Sequence, residues 1–275
     1  MTTASTDKVK NALAVQSQSR ELAPGNTLKA LLDSKSVKQR FEEMLGKKAA
    51  GFMSSIVSAT SGNQMLAKAD PMSVISAAAV AASLDLPINP SLGFAHIVPY
   101  KDQAQFQMGW RGFVQLAMRS GQYLTMNVSE VYEGQLVSEN PFTGAYTFDA
   151  AAKKSDKVIG YVAYFKLING FEKYAYMTTE AAQAHGKRYS QSYKKGFGQW
   201  VDNFGAMAKK TVIKGLLSKW GVMSIEMQNA IKFDQAVVTE DEKPVYVDAA
   251  PATDATPNAE PEIDPGQPFD AEVTK

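Results

Sequence analysis

The chain has 275 residues, of which 45% are hydrophobic, 21% charged and 10% aromatic; this excludes wholesale disorder and fits one or two domains. Zero cysteines exclude a disulfide scaffold, a thiolate zinc site and a cysteine nucleophile, and two histidines, His96 and His185, are too few for a three-histidine metal site. The net charge of +1 hides a partition: residues 151–235 hold 14 basic against 6 acidic residues, and residues 236–275 hold 2 against 10. A basic block beside an acidic tail points to an anionic partner for the first and a solvated or regulatory role for the second. No run of about 18 apolar residues is present. The polar stretch 1–20 lacks an apolar signal core, so a cytoplasmic protein without membrane contact is expected.

Residues 1–25 are rich in Ser, Thr, Gln and Ala without periodicity and read as a disordered arm. From Thr27 the spacing turns helical through Leu28, Leu31, Leu32, Phe41, Met44 and Leu45, with Gly46 as a stop. A short amphipathic helix covers Phe52 to Ala59, and Ser61-Gly62-Asn63 breaks it. Asp70-Pro71 is a helix start, an N-cap acceptor followed by a proline whose missing N–H costs nothing there. The alanine-rich stretch it opens, Met72 to Leu84, suits a buried or inter-subunit helix. A hairpin is predicted over Phe94–Tyr100 and Ala104–Met108, with Lys101-Asp102-Gln103 as the turn. Trp110 to Ser120 has helical spacing and Gly121 closes it. A strand over Tyr123 to Glu133 follows, then a long irregular connection over residues 134–156.

The strongest local signal is Val158 to Met177, two β-rich runs around Asn169-Gly170, the preferred pair for a two-residue type I′ turn. That turn sets Lys166 opposite Lys173 and Tyr164 opposite Ala175, and puts Ile159, Tyr161, Phe165, Leu167, Tyr174 and Tyr176 on the other face. Two directly opposed lysines either share an anionic neighbour such as phosphate or splay into solvent. Helices over Phe197–Lys219 and Ser224–Phe233 complete a core spanning residues 26–235, and residues 236–275 read as an acidic disordered tail. The fold class expected is α+β, a small antiparallel sheet of hairpins packed with helices and disordered arms at both ends.

Enzymatic signatures are missing. There is no G-x-x-x-x-G-K-[ST] phosphate loop, so no nucleotide cofactor is implied, and no G-x-G-x-x-G, G-x-S-x-G or H-E-x-x-H. Asp149, Glu172, Asp202 and Asp234 are scattered, whereas two-metal phosphodiester cleavage needs converging carboxylates. What is present is the chemistry of single-stranded nucleic acid binding, cations for phosphates beside aromatics for bases. The stretch 187–219 holds Lys187, Arg188, Lys194, Lys195, Lys209, Lys210, Lys214 and Lys219 against one acid, Asp202. In its helix Trp200, Phe204, Met207 and Thr211 form one apolar stripe and Ile213, Leu216, Leu217 and Trp220 another. Lys210 and Lys214 are thereby left on a narrow seam expected to line a groove. Gly205 and Gly215 inside it each cost about 1 kcal/mol relative to alanine and suggest close packing or ligand approach. Arg111, Gln115 and Arg119 recur every four residues opposite Phe113, Leu116 and Ala117, and arginine there can grip phosphate bidentately. Lys166 and Lys173 on the hairpin, and Trp110 and Trp200 as bases' stacking partners, complete the candidate DNA-binding set; for the tryptophans, core packing is the competing reading.

Three ordered motifs carry a resemblance: Leu86-Pro87-Ile88-Asn89-Pro90-Ser91-Leu92-Gly93 leading to Val98-Pro99-Tyr100; Met108-Gly109-Trp110-Arg111-Gly112 with Leu116-Ala117-Met118-Arg119-Ser120-Gly121; and Met207-Ala208-Lys209-Lys210-Thr211-Val212-Ile213-Lys214 with Trp200 and Ser224-Ile225-Glu226-Met227. Over residues 27–235 the chain resembles the RecT family of phage single-strand annealing proteins. The resemblance implies a non-enzymatic, ATP-independent recombinase that coats single-stranded DNA, pairs it with its complement and holds the annealed duplex. It also implies a homo-oligomer in rings or helical filaments, and a phage- or prophage-encoded protein acting in the host cytoplasm. A phage 5′→3′ exonuclease is the implied partner, and magnesium an aid to annealing. The family's basic positions fall on Arg111, Arg119, Lys209, Lys210 and Lys214. The acidic tail, Glu240 to Glu272, is open to three readings. It occupies the basic groove until DNA displaces it; it recruits a host single-strand-binding protein or the exonuclease through Ile263 and Phe269; or it only solubilises. A phage nuclease and a passive coat protein are the alternative functions.

Overall fold

The computed structural model describes residues 27–238 and 244–245. Apart from residues 236–238 and 244–245, the expected arms at 1–25 and 236–275 lie outside the described residues. The described residues begin with three α-helices, α1 (Leu28–Asp33), α2 (Lys35–Leu45) and α3 (Ala49–Ser61). Thr27 and Ser34 start the first two by accepting from Ala30 N and Val37 N at 3.2 and 3.4 Å. After the short turn α4 (Gln64–Ala67) comes α5 (Pro71–Ser83), whose Asp70 cap accepts from Ser73 N at 2.9 Å. The alanines of α5 are the centre of the core, with Ala77, Ala78 and Ala81 fully enclosed, and their small side chains let α1, α2 and the first hairpin close on it.

That hairpin is β1 (Ala95–Tyr100) and β2 (Gln103–Met108), followed by α6 (Trp110–Arg119). The glycines of the Met108–Gly112 motif have a steric cause. A Cβ on Gly109 would strike the Gly93 carbonyl, and one on Gly112 would strike the Phe94 carbonyl and the Met108 side chain. Gly109 N instead donates to Phe94 O at 2.9 Å, so the N-terminal turn of α6 is clamped against the segment entering β1.

A three-stranded antiparallel sheet in the order β3-β6-β7 forms the second half, from β3 (Tyr123–Tyr132), β6 (Val158–Leu167) and β7 (Glu172–Thr178). Between β3 and β6, the expected irregular connection contains a hairpin, β4 (Leu136–Asn140) and β5 (Ala145–Phe148). Then come α7 (Thr179–Tyr189), the single turns α8 (Gln191–Lys194) and α9 (Gln199–Asp202), and α10 (Phe204–Trp220). The helix expected to be continuous from Phe197 is thus interrupted at Asn203. The final helix α11 (Ile225–Phe233) precedes a small strand pair, β8 (Val237–Val238) with β9 (Pro244–Val245). Val237 and Val238 are buried, so the core runs past the expected boundary at residue 235 and draws on part of the segment expected to be disordered.

The hairpin around Asn169-Gly170 forms, but one residue out of the expected register. Gly170, at φ +90°, closes a three-residue loop in which Gly170 N donates to Leu167 O at 3.0 Å and Leu167 N to Phe171 O at 2.8 Å. This is the turn followed by a left-handed residue that makes a bulge. Lys166 therefore pairs with Glu172, not Lys173, and lies 3.5 Å from its carboxylate. Because side chains alternate, the slip also divides the aromatic face in two. Tyr161, Phe165 and Leu167 are buried under α10, whereas Tyr174 and Tyr176 lie on the opposite face with Tyr164, covered by Tyr146 and Phe148 of the β4–β5 hairpin. Helix α10 lies between the sheet and α6, apolar on both sides as its two stripes require.

Candidate nucleic-acid interface

The expected cationic seam is the starting point, and the structure redraws it. Lys210 is only 5% exposed, and its ammonium lies 2.8 Å from Asp234 Oδ1. Lys214 lies 2.7 Å from Asp234 Oδ2. Asp234, 1% exposed at the end of α11, also accepts from Met108 N at 3.0 Å, so one carboxylate ties α10 to β2 and α11. Burial and the charge of Lys214 pull the Lys210 ammonium down to about 8 against the attraction of Asp234. Burial disfavours the Asp234 carboxylate as well, but the two lysines outweigh it and hold its pKa below the ordinary value. The placement of Lys210 on a solvent-facing groove is therefore corrected: it is an internal counterion. It sits three residues from both Met207 and Ile213, between two apolar stripes that are both buried, so the seam itself is closed at this position.

The remaining candidates divide by what they touch. Lys209 lies 2.9 Å from Glu130 Oε1, and that hydrogen bond, above all, holds the Glu130 carboxyl below its ordinary pKa. Arg119 donates to Leu84 O at 2.7 Å and Asp85 O at 2.8 Å, fastening the carbonyl end of α5. Lys173 donates to Thr143 O at 2.8 Å. Arg111 is exposed, stacks over the Trp110 ring at 5.4 Å and makes one long contact, 3.4 Å, to Leu92 O. Trp110 is half-buried against the core. Trp200 is 6% exposed and sits in an aromatic cluster with His185, Tyr193 and Phe204, so it braces the scaffold and is not a free stacking platform.

That cluster supports a group of exposed cations. Helix α7 is capped by Thr178, which accepts from Ala181 N at 3.1 Å, and it buries Ala182 and Gly186. Its far side and α8 present Lys187, Arg188, Lys194 and Lys195 to solvent. None of the four is paired with a carboxylate among the described residues. Exposed apolar side chains are interleaved with them: Tyr189 at 48%, Phe197 at 54% and Val201 at 45%. Arg188 lies over the Tyr189 ring at 5.3 Å, and the His185 ring is centred 4.6 Å from that of Tyr189. Burial, then the charges of Lys214 and Arg188, lower the His185 pKa, so the ring is neutral at pH 7 and adds no charge. A ridge of unpaired cations with rings between them can hold phosphates and stack bases. Lys187 and Arg188 were in the sequence-based set; Tyr189 and Phe197 were not, although both stand close to cations in the chain. Among the described residues no three His, Asp or Glu side chains converge as metal ligands, and no helix is long and apolar enough to cross a membrane.

Comparison with known proteins adds to this geometry. The family model for the RecT family matches residues 50–254. A Bacillus subtilis (strain 168) protein, described as uncharacterized protein YqaK, is 50% identical over 232 residues, covering 84% of this chain and 78% of its own. Protein RecT of Escherichia coli (strain K12) is 29% identical over 194 residues, covering 67% of this chain and 68% of its own. The matches place the molecule among phage-type recombination and annealing proteins. It belongs to the RecT family.

Proposed function

We propose that the protein binds single-stranded DNA and anneals it to its complement without ATP. The observation that supports this reading most directly is the α7–α8 ridge, four exposed cations without carboxylate partners among the described residues, beside Tyr189 and Phe197, in a chain of the RecT family. Phosphates lie along Lys187, Arg188, Lys194 and Lys195, with Arg111, stacked on Trp110, as a further contact. Lys166, Lys173, Lys209, Lys214 and Arg119 lie within reach of solvent but have protein partners, which DNA would have to replace. Holding the backbone leaves base edges open, so sequence is read by complementarity and not by the protein. A short nascent duplex is unstable on one subunit, so the working form is a homo-oligomer, a ring or filament, that also retains the annealed duplex. It acts in the bacterial cytoplasm beside a phage 5′→3′ exonuclease and a host single-strand-binding protein, with magnesium as an aid.

A fluorescence assay with complementary oligonucleotides, run with and without ATP and magnesium, tests this. Faster pairing in the absence of nucleotide supports annealing. Slower pairing at full occupancy identifies a passive coat, and shortened strands on adding magnesium identify a nuclease; either result overturns the proposal.

A further inference from the structure

The C-terminal end of α10 carries a second group of rings and cations. Trp220, the last residue of α10, is 50% exposed. Lys173 of β7 holds its ammonium 5.0 Å from the centre of the Trp220 ring, and the same ammonium donates to Thr143 O in the β4–β5 turn. That turn is rigidly shaped: Asn140 Oδ1 accepts from Phe142 N at 3.0 Å and Thr143 N at 3.2 Å, and Gly144 N donates to Asn140 O at 2.8 Å. The shape projects Phe142, 98% exposed, beside Thr143. Phe171, two residues before Lys173 and next to the start of β7, is also exposed, as is Lys219 next to Trp220. The carboxylates adjacent in the chain are engaged elsewhere: Glu172 points to the opposite face and binds Lys166 and Tyr164, and Glu139 binds Tyr146.

A single exposed apolar residue is ordinary, whereas exposed rings grouped with cations mark an interaction site. Here the exposed rings stand beside lysines that no carboxylate among the described residues pairs with, the combination that suits bases and phosphates better than an apolar protein face. We propose that Trp220, Phe142 and Phe171 form a second contact for single-stranded nucleic acid, with bases stacking on the rings and Lys173 and Lys219 holding the flanking phosphates. Helix α10 spans 17 residues, so Trp220 lies about 25 Å along it from its first residue, Phe204. The inference rests on the single-strand-binding reading above and adds a site to it.

The test measures binding of a fluorescent oligo(dT) by wild type, Trp220→Ala and Trp220→Phe, with sedimentation of each protein without DNA. Stacking of one base supports a loss of roughly 5- to 150-fold for Trp220→Ala. Trp220→Phe keeps a ring and retains most of the affinity, and Phe142→Ala weakens binding in the same direction while leaving the fold intact. Wild-type affinity in Trp220→Ala and Phe142→Ala overturns the proposal. So does a changed sedimentation coefficient with unchanged affinity, which would make this face a contact between copies of the chain. Wild-type protein that binds no oligo(dT) at all refutes the function itself; a ridge-dependent affinity indifferent to Trp220 refutes only this second contact.

Discussion

Replacing Asp234 by asparagine keeps the size and the acceptor for Met108 N but removes the charge that neutralises Lys210 and Lys214. Lys214 is partly exposed and can turn its ammonium to water, whereas Lys210 is enclosed and cannot. Removing one partner of a buried ion pair costs about 3–5 kcal/mol, because the remaining charge stays desolvated. For a domain of this size each kcal/mol lowers Tm by about 2–4 °C, so Asp234→Asn is expected to melt roughly 6–20 °C below wild type in calorimetry. Lys210→Met loses less, since Asp234 keeps Lys214 and the methionine fills the same apolar stripe. A Tm for Asp234→Asn within about 2 °C of wild type would refute the assignment of these lysines as internal counterions.

Two further outcomes follow from the same structure. The Lys210 ammonium titrates near 8 in the fold and at its ordinary 10.5 in the unfolded chain. Between those values the unfolded chain binds more protons, so this group's contribution to stability rises with pH. Wild type should therefore gain stability relative to Lys210→Met when denaturation is followed from about pH 8 to about pH 10.5, the window those two values bracket, and a constant difference would contradict the titration. Gly112→Ala drives a methyl group into the Phe94 carbonyl, which cannot swing aside, and overpacking of this kind costs about 1–3 kcal/mol. Thermal melts of that variant should show the loss, and an unchanged Tm would mean α6 is not clamped against Phe94.

Much of the scaffold was legible because its signals are local. Asp70-Pro71 starts α5, Gly46 and Gly121 end helices at φ +54° and +67°, and the alanine run is buried. Asn169-Gly170 announced its hairpin, but whether the loop has two or three residues depends on how the strands dock on α10. No dipeptide encodes that, so the register and the face of Tyr174 and Tyr176 were misplaced. The β4–β5 hairpin was hidden because its strands are short and shifted by a bulge, and its stability comes from Tyr146 and Phe148 packing on β7. The site was legible as charge but not as pairing. Asp234 lies 24 residues from Lys210 in sequence, and Glu130 reaches Lys209 from β3, so which cations are neutralised is a property of the tertiary fold. Gly215 meets nothing within 4 Å, so its helical cost has no packing explanation here, whereas Gly205 lies beside the Glu130 carboxylate.

The dependence of oligo(dT) affinity on salt discriminates between exposed and internal cations. On single strands the log–log slope is about −0.7 for each phosphate neutralised. Replacing Lys187, Arg188, Lys194 and Lys195 with glutamine should make the slope shallower by about 0.7 for each phosphate no longer neutralised, up to about 2.8, while the folded Lys210→Met variant keeps the wild-type slope. An unaltered slope in the fourfold variant, or a flattening by Lys210→Met that matches it, would show that the α7–α8 ridge is not where the protein holds its strand.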